Sequence, residues 1–149
     1  MAIPVATPVG LIVLKLIAWT ERPADLRVKD AKDIAYVLES YELLPAVLDE
    51  CYGDEGLMQV HGWDITLAAA ELLGRHVCPV LQPATAVLLE QLINGGVGKL
   101  TLERLVEESC TQVETQFDRH QSLVEAFVRG YYANNHAPES RAEAPARNE

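Results

Sequence analysis

The chain has 149 residues, with 12 Lys+Arg against 22 Asp+Glu for a formal charge of -10, 49% hydrophobic residues and a mean hydropathy of +0.04. One domain of that length buries roughly 68–70% of its unfolded surface and needs no covalent staple. The acidity argues against a dedicated binder of nucleic acid or anionic membrane, whose affinity comes from Lys and Arg on phosphates. Charge is unevenly placed: residues 1–48 hold 5 basic and 6 acidic side chains, residues 49–149 hold 7 and 16.

In chain order, Ile3–Ala6 suits a short terminal strand or an extended lead-in. Thr7-Pro8 then reads as a helix start, Thr as the cap and Pro where its missing N–H costs nothing. The helix that follows, Val9 to about Thr20, is apolar almost all round, so it should pack on several sides or leave a contact patch. It is too short, at about ten apolar residues with Lys15 inside, for a membrane span or signal core. Val28–Tyr41 repeats Ile34, Leu38 and Tyr41 at helical spacing. Pro45 opens a short helix that Gly53 can close with a left-handed cap, followed by a loop through Gly56. Asp64 caps a helix over Ile65–Leu73 that Gly74 stops. Ala84–Ile93 forms the next, ended by Asn94-Gly95-Gly96. From Thr101 an amphipathic pattern through Tyr131 reads as one long helix, or as two with a break near Ser109–Thr111. The expected class is all-α: about six helices in a compact domain over 1–133, an optional N-terminal strand, and a disordered tail over 134–149.

Several routes to chemistry close on inspection. Gly95-Gly96-Val97-Gly98-Lys99 lacks the spacing and the hydroxyl of a phosphate loop, since Leu100 follows Lys99. Cys51, Cys78 and Cys110 form no C-x-x-C pair, and His61, His76, His120 and His136 form no i, i+4 ligand pair. No disulfide framework or zinc site follows from that spacing, and a reduced, cytoplasmic compartment is the plain reading. No G-x-S-x-G elbow occurs, and His120 reads as a core histidine.

Lys15 is the most informative residue, because an ammonium between Leu14 and Leu16 must find a carboxylate or a polar cleft. Asp30 and Asp33, at i, i+3, share a helix face with Ile34 and Val37 and repel unless a cation lies between them. That cation could be a metal, Lys15 or Arg22; alternatively the two carboxylates belong to a solvated first turn. Lys29 can reach Asp33 at i+4.

Pro8-x-x-Leu11-x-x-Leu14-Lys15-Leu16-x-Ala18-Trp19-x-x-Arg22, followed by Lys29-Asp30-x-x-Asp33-Ile34 and Leu38, resembles the later half of AbiEii-like nucleotidyltransferases, the toxin-type branch of that superfamily. The run Asp64-Ile65-x-x-Ala68-Ala69-x-x-Leu72-Leu73-Gly74-Arg75 is similar to a segment of one bacterial branch, so the resemblance spans about residues 3–93. It implies a helical C-terminal part that completes an NTP and Mg²⁺ cleft, with Lys15, Asp30 and Asp33 as catalytic residues. Lys15, Arg22 and Lys29 would be its nucleotide contacts, and no metal ligand would come from this chain. The family's D-x-D pair and its G-[GS]-x-x-x-x-x-x-R stretch are absent from the sequence. The chain alone should therefore transfer no nucleotidyl group, and the cofactors would apply only where a catalytic half is supplied. Partners implied are that half or a cognate antitoxin, with a homo-oligomer also open. The competing expectation is a stand-alone helical interaction module, antitoxin-like or adaptor, in which Lys15 with Asp30 and Asp33 is a structural ion pair.

Overall fold

A computed structural model describes residues 7–110 and 116–146, with side chains described to residue 133. Eight α-helices are present among them: α1 Pro8–Glu21, α2 Ala24–Ser40, α3 Pro45–Tyr52, α4 Glu55–Val60, α5 Ile65–Val77, α6 Pro83–Ile93, α7 Leu102–Ser109 and α8 Phe117–Ala146. Two 3₁₀ turns, Tyr41–Leu43 and Cys78–Val80, join α2 to α3 and α5 to α6. The all-α class expected from the sequence is observed, and among the described residues there is no strand, only a bridge between Val97 and Leu100. The lead-in at 3–6 lies outside the described residues. So do the side chains of the expected tail at 134–149 and the backbone of 147–149.

The start of α1 follows the sequence: Thr7 Oγ1 accepts from the Gly10 N–H at 3.0 Å and Pro8 stands at the first position. Arg22 and Pro23 then turn the chain, so α1 and α2 form a tight antiparallel hairpin. The second helix begins at Ala24, four residues before the expected Val28. Its first turn, Ala24 to Leu26, is exposed, so no apolar period announced it, and the Pro23 carbonyl accepts from the Leu26 and Arg27 N–H groups.

Three further expectations are corrected. Gly53 closes α3 with φ -81, not in the left-handed region. The loop through Gly56 is helix α4, capped by Asp54 Oδ1 accepting from Leu57 N–H at 3.0 Å. Beyond its last residue, Val60, the turn is closed by Gly62, φ +62, and the Gly62 and Trp63 N–H groups donate back to the Gln59 and Met58 carbonyls. Gly74 does not stop α5, which runs on to Val77. The long pattern from Thr101 divides in two, α7 ending at Ser109.

Helix α5 is the axis of the core. Ala68, Ala69, Ala70, Leu72, Leu73, Gly74 and Val77 are all buried, and α8 crosses over them with Leu123, Phe127 and Tyr131. Ile12, Leu16 and Trp19 of α1 and Ile34, Val37 and Leu38 of α2 close the other side. The all-round apolar character of α1 is thus only partly covered, and Leu14 remains 61% exposed.

Candidate functional site

The α1–α2 hairpin brings together all five residues singled out in the sequence. Lys15 Nζ lies 2.8 Å from Asp33 Oδ2 and 3.4 Å from Asp30 Oδ1. Arg22 Nη1 donates to both oxygens of Asp30 at 3.0 and 3.2 Å, and Lys29 Nζ reaches Asp33 Oδ2 at 3.1 Å. The i, i+3 spacing of the aspartates turns both toward α1, and the Asp30 side chain is fully buried. Hydrogen bonding to Asp33 holds the Lys15 ammonium above its usual range, against the opposing effect of burial. Burial alone would raise the Asp33 carboxyl, but hydrogen bonds from Lys15 and Lys29 outweigh it and hold it low.

The network is closed on itself. Asp30 and Asp33 each take two cations, so their charge is already balanced within the hairpin; both contacts of Asp33 fall on Oδ2, and its side chain is one third exposed. A phosphate drawing Lys15 and Arg22 away would leave Asp30 charged, buried and unpaired, an arrangement costing about 3–5 kcal/mol. Among the described residues no three His, Cys, Asp or Glu side chains converge as a metal site requires.

Two buried carboxylates of the same kind escaped the sequence reading. Glu108 of α7 accepts Trp19 Nε1 at 2.9 Å and a bidentate pair from Arg27 at 2.7–3.0 Å, with Arg104 Nε at 3.5 Å. Burial would raise its carboxyl, yet the Arg27 and Trp19 hydrogen bonds hold it low. Glu71 of α5 meets His61 Nε2 at 2.7 Å, Arg75 Nη2 at 3.2 Å and Arg129 Nε at 3.2 Å. Each therefore ties distant helices through one desolvated charge. Glu71 had a readable signal, a lone carboxylate between Ala70 and Leu72, which is the same reasoning that picked out Lys15. A fourth pair, Arg119 with Asp64 at 2.7 and 3.0 Å, locks the α5 cap to α8 and holds the Asp64 carboxyl low.

Ser109 Oγ lies 2.7 Å from the Val106 carbonyl oxygen and 2.9 Å from His120 Nδ1, while His120 Nε2 stands 3.4 Å from Glu39 Oε2. The cavity beside them holds about 10 Å³, room for one water at most. His120 is a core histidine, as its register implied. Tyr41 OH and His76 Nδ1 are 2.5 Å apart, and His76 Nε2 faces Glu50 at 3.3 Å, so both ring nitrogens are engaged. Burial pushes the Tyr41 hydroxyl up to about 12 and the Cys51 thiol up to about 11, which leaves neither poised as a nucleophile.

Two open grooves lie away from the charged cluster. One, about 510 Å³, runs between the start of α1 and the end of α5, with Val13, Leu14 and Val80 on its walls. The other, about 460 Å³, lies between α7 and α8 at the end of α6. Phe117, Val124 and Val128 of α8 face Leu102 and Val106 of α7 across it, with Glu103 and Glu125 at its edges. No described helix is long and apolar enough to cross a membrane. Comparison with protein-family models, with curated proteins and with solved structures finds no match to this chain.

Proposed function

We propose that this chain is a helical protein-interaction module of the cytoplasm, antitoxin-like or adaptor in kind, whose charged hairpin serves structure. The observation that carries this reading is the pairing of Asp30: a fully buried carboxylate spans Lys15 and Arg22, so drawing both cations onto a phosphate would strand a buried charge. The three free cysteines suit a reducing compartment. Apolar grooves on two sides of the bundle offer places for a partner to dock.

The test replaces the network as a unit. Lys15→Met with Asp30→Asn and Asp33→Asn removes both signs together, so no buried charge is stranded. The module reading expects this variant to fold and to crosslink in cells to the same partner as the wild-type chain. Loss of that partner from a folded triple variant contradicts it.

A second reading has one observation in its favour: Lys15, Arg22, Lys29, Asp30 and Asp33, which the resemblance gathers into one nucleotide site, do share one face of α1–α2. In that reading the chain is the helical side of an AbiEii-like nucleotidyltransferase cleft, and Mg²⁺ and the NTP are held by D-x-D carboxylates of another polypeptide. The purified chain then labels no acceptor from a labelled NTP, while the reconstituted pair does.

A further inference from the structure

We infer that the α7–α8 groove is a docking site for a basic amphipathic helix of a partner protein, an assignment that rests on the interaction-module reading and gives it a partner chemistry. The groove's floor is a helical stripe: Phe117, Val124 and Val128 stand at i, i+7 and i+11 on α8, facing Leu102 and Val106. From Phe117 to Val128 it spans 12 residues, about 16 Å at 1.5 Å of rise per residue step, the length of three helical turns. A partner helix of that length presents apolar anchors at i, i+4 and i+7 to such a floor, the usual helix-in-groove arrangement.

The rim fixes the sign of the partner. Glu103 and Glu125 stand exposed on opposite sides, Gln121 lies between, and no lysine or arginine lines the groove. Glu125 is engaged only by the neutral Gln121 amide at 3.2 Å, and no ion pair involves Glu103 among the described residues. Lysines or arginines flanking an apolar stripe would meet these carboxylates, giving register and faster encounter. The chain's own segments do not fit that description. Residues 134–149 carry two arginines against three glutamates, and residues 1–6 carry no charged side chain. A second copy, itself at -10, would bring like charge to the rim.

The experiment is a display selection of helix-stabilised peptides of about twelve residues against the intact chain, with the enriched sequences then measured by fluorescence anisotropy. The expected pool is basic, with apolar residues at i, i+4 and i+7. Its members should bind the Glu103→Lys/Glu125→Lys double variant roughly tenfold or more weakly, and bind the charge-matched Asp49→Lys/Glu55→Lys control as they bind the wild type. All four substituted side chains are exposed, and circular dichroism confirms the fold of both variants. No enrichment, an acidic or neutral pool, or equal loss in both variants overturns the inference. Peptides that bind all three proteins alike also overturn it, yet leave the interaction-module reading standing on another surface. A chain that enriches nothing and binds Mg·NTP defeats both.

Discussion

Gly74 of α5 and Gly130 of α8 sit where the two helix backbones cross, each facing the main chain of the other helix. A Cβ at Gly130 would stand 1.8 Å from the Glu71 carbonyl oxygen, and one at Gly74 would stand 2.0 Å from that of Phe127. Both obstacles are backbone, which cannot rotate away as a side chain can. The pair therefore sets how closely the central helix and its cover approach, and with it the placing of Glu71 beside Arg129.

Gly130→Ala is expected to destabilise the fold by at least about 2 kcal/mol, because forced separation of packed helices outweighs the ~1 kcal/mol gain in helix propensity. Gly74→Ala should do the same. Urea denaturation of each variant checks this, and an unchanged or raised midpoint for either would show that the crossing is looser than described.

Removing cations from the hairpin should be non-additive. Lys15→Met leaves Arg22 on Asp30 and is expected to cost about 1–2 kcal/mol. Lys15→Met with Arg22→Met strands the buried carboxylate and should cost about 3–5 kcal/mol. Adding Asp30→Asn and Asp33→Asn should recover most of the loss. Thermal and urea melts of these variants together with Arg22→Met alone close the cycle, and simple addition of the two single costs would contradict the shared-partner geometry.

Glu108 is expected to be the costliest single charge to delete. Glu108→Ala leaves Arg27, whose side chain is 13% exposed, and the buried Trp19 indole without their acceptor, for about 3–5 kcal/mol. In a Trp63→Phe background Trp19 is the sole reporter, and its emission should shift to the red in Glu108→Ala. Unchanged stability and emission would remove Glu108 from the structural account.

Stability should fall on the acid side through a defined set of carboxyls. Asp33, Asp54, Asp64 and Glu108 are held below their ordinary values in the fold. Between the folded and unfolded values the unfolded chain binds more protons, so their contribution is present above about pH 4 and lost as pH falls through the folded values. Lys15, held above its ordinary value of 10.5, acts in the opposite direction: its contribution is whole below that pH and lost as pH rises through the folded value. Denaturation midpoints across pH should therefore drop steeply toward pH 3, and Asp64→Asn should flatten that drop. A pH-independent midpoint from 6 to 3 would contradict the cluster assignments.

Local rules carried the sequence reading as far as local signals reach. Thr7-Pro8 and Asp64 are caps whose hydrogen bonds involve residues two or three positions on, and both are found as read. Lys15 was legible because a cation in an apolar helix demands a partner, and Asp30 and Asp33 were its nearest carboxylates on a neighbouring helix. Gly74 was misread because propensity weighs a glycine only by its cost to its own helix; its use here depends on Phe127, 53 residues away. The Arg27–Glu108 pair spans 81 residues, and no period or motif links the two. Helix α4 was hidden by its brevity and by Gly56, although its Asp54 cap was in plain view.

If the Lys15–Asp30–Arg22 network is scaffold rather than a phosphate site, calorimetric titration of the purified chain with Mg·ATP, Mg·GTP, Mg·CTP and Mg·UTP gives no saturable heat with any of the four and no rise in melting temperature in their presence. Saturable binding to the wild-type chain that disappears in folded Lys15→Met would contradict the scaffold role.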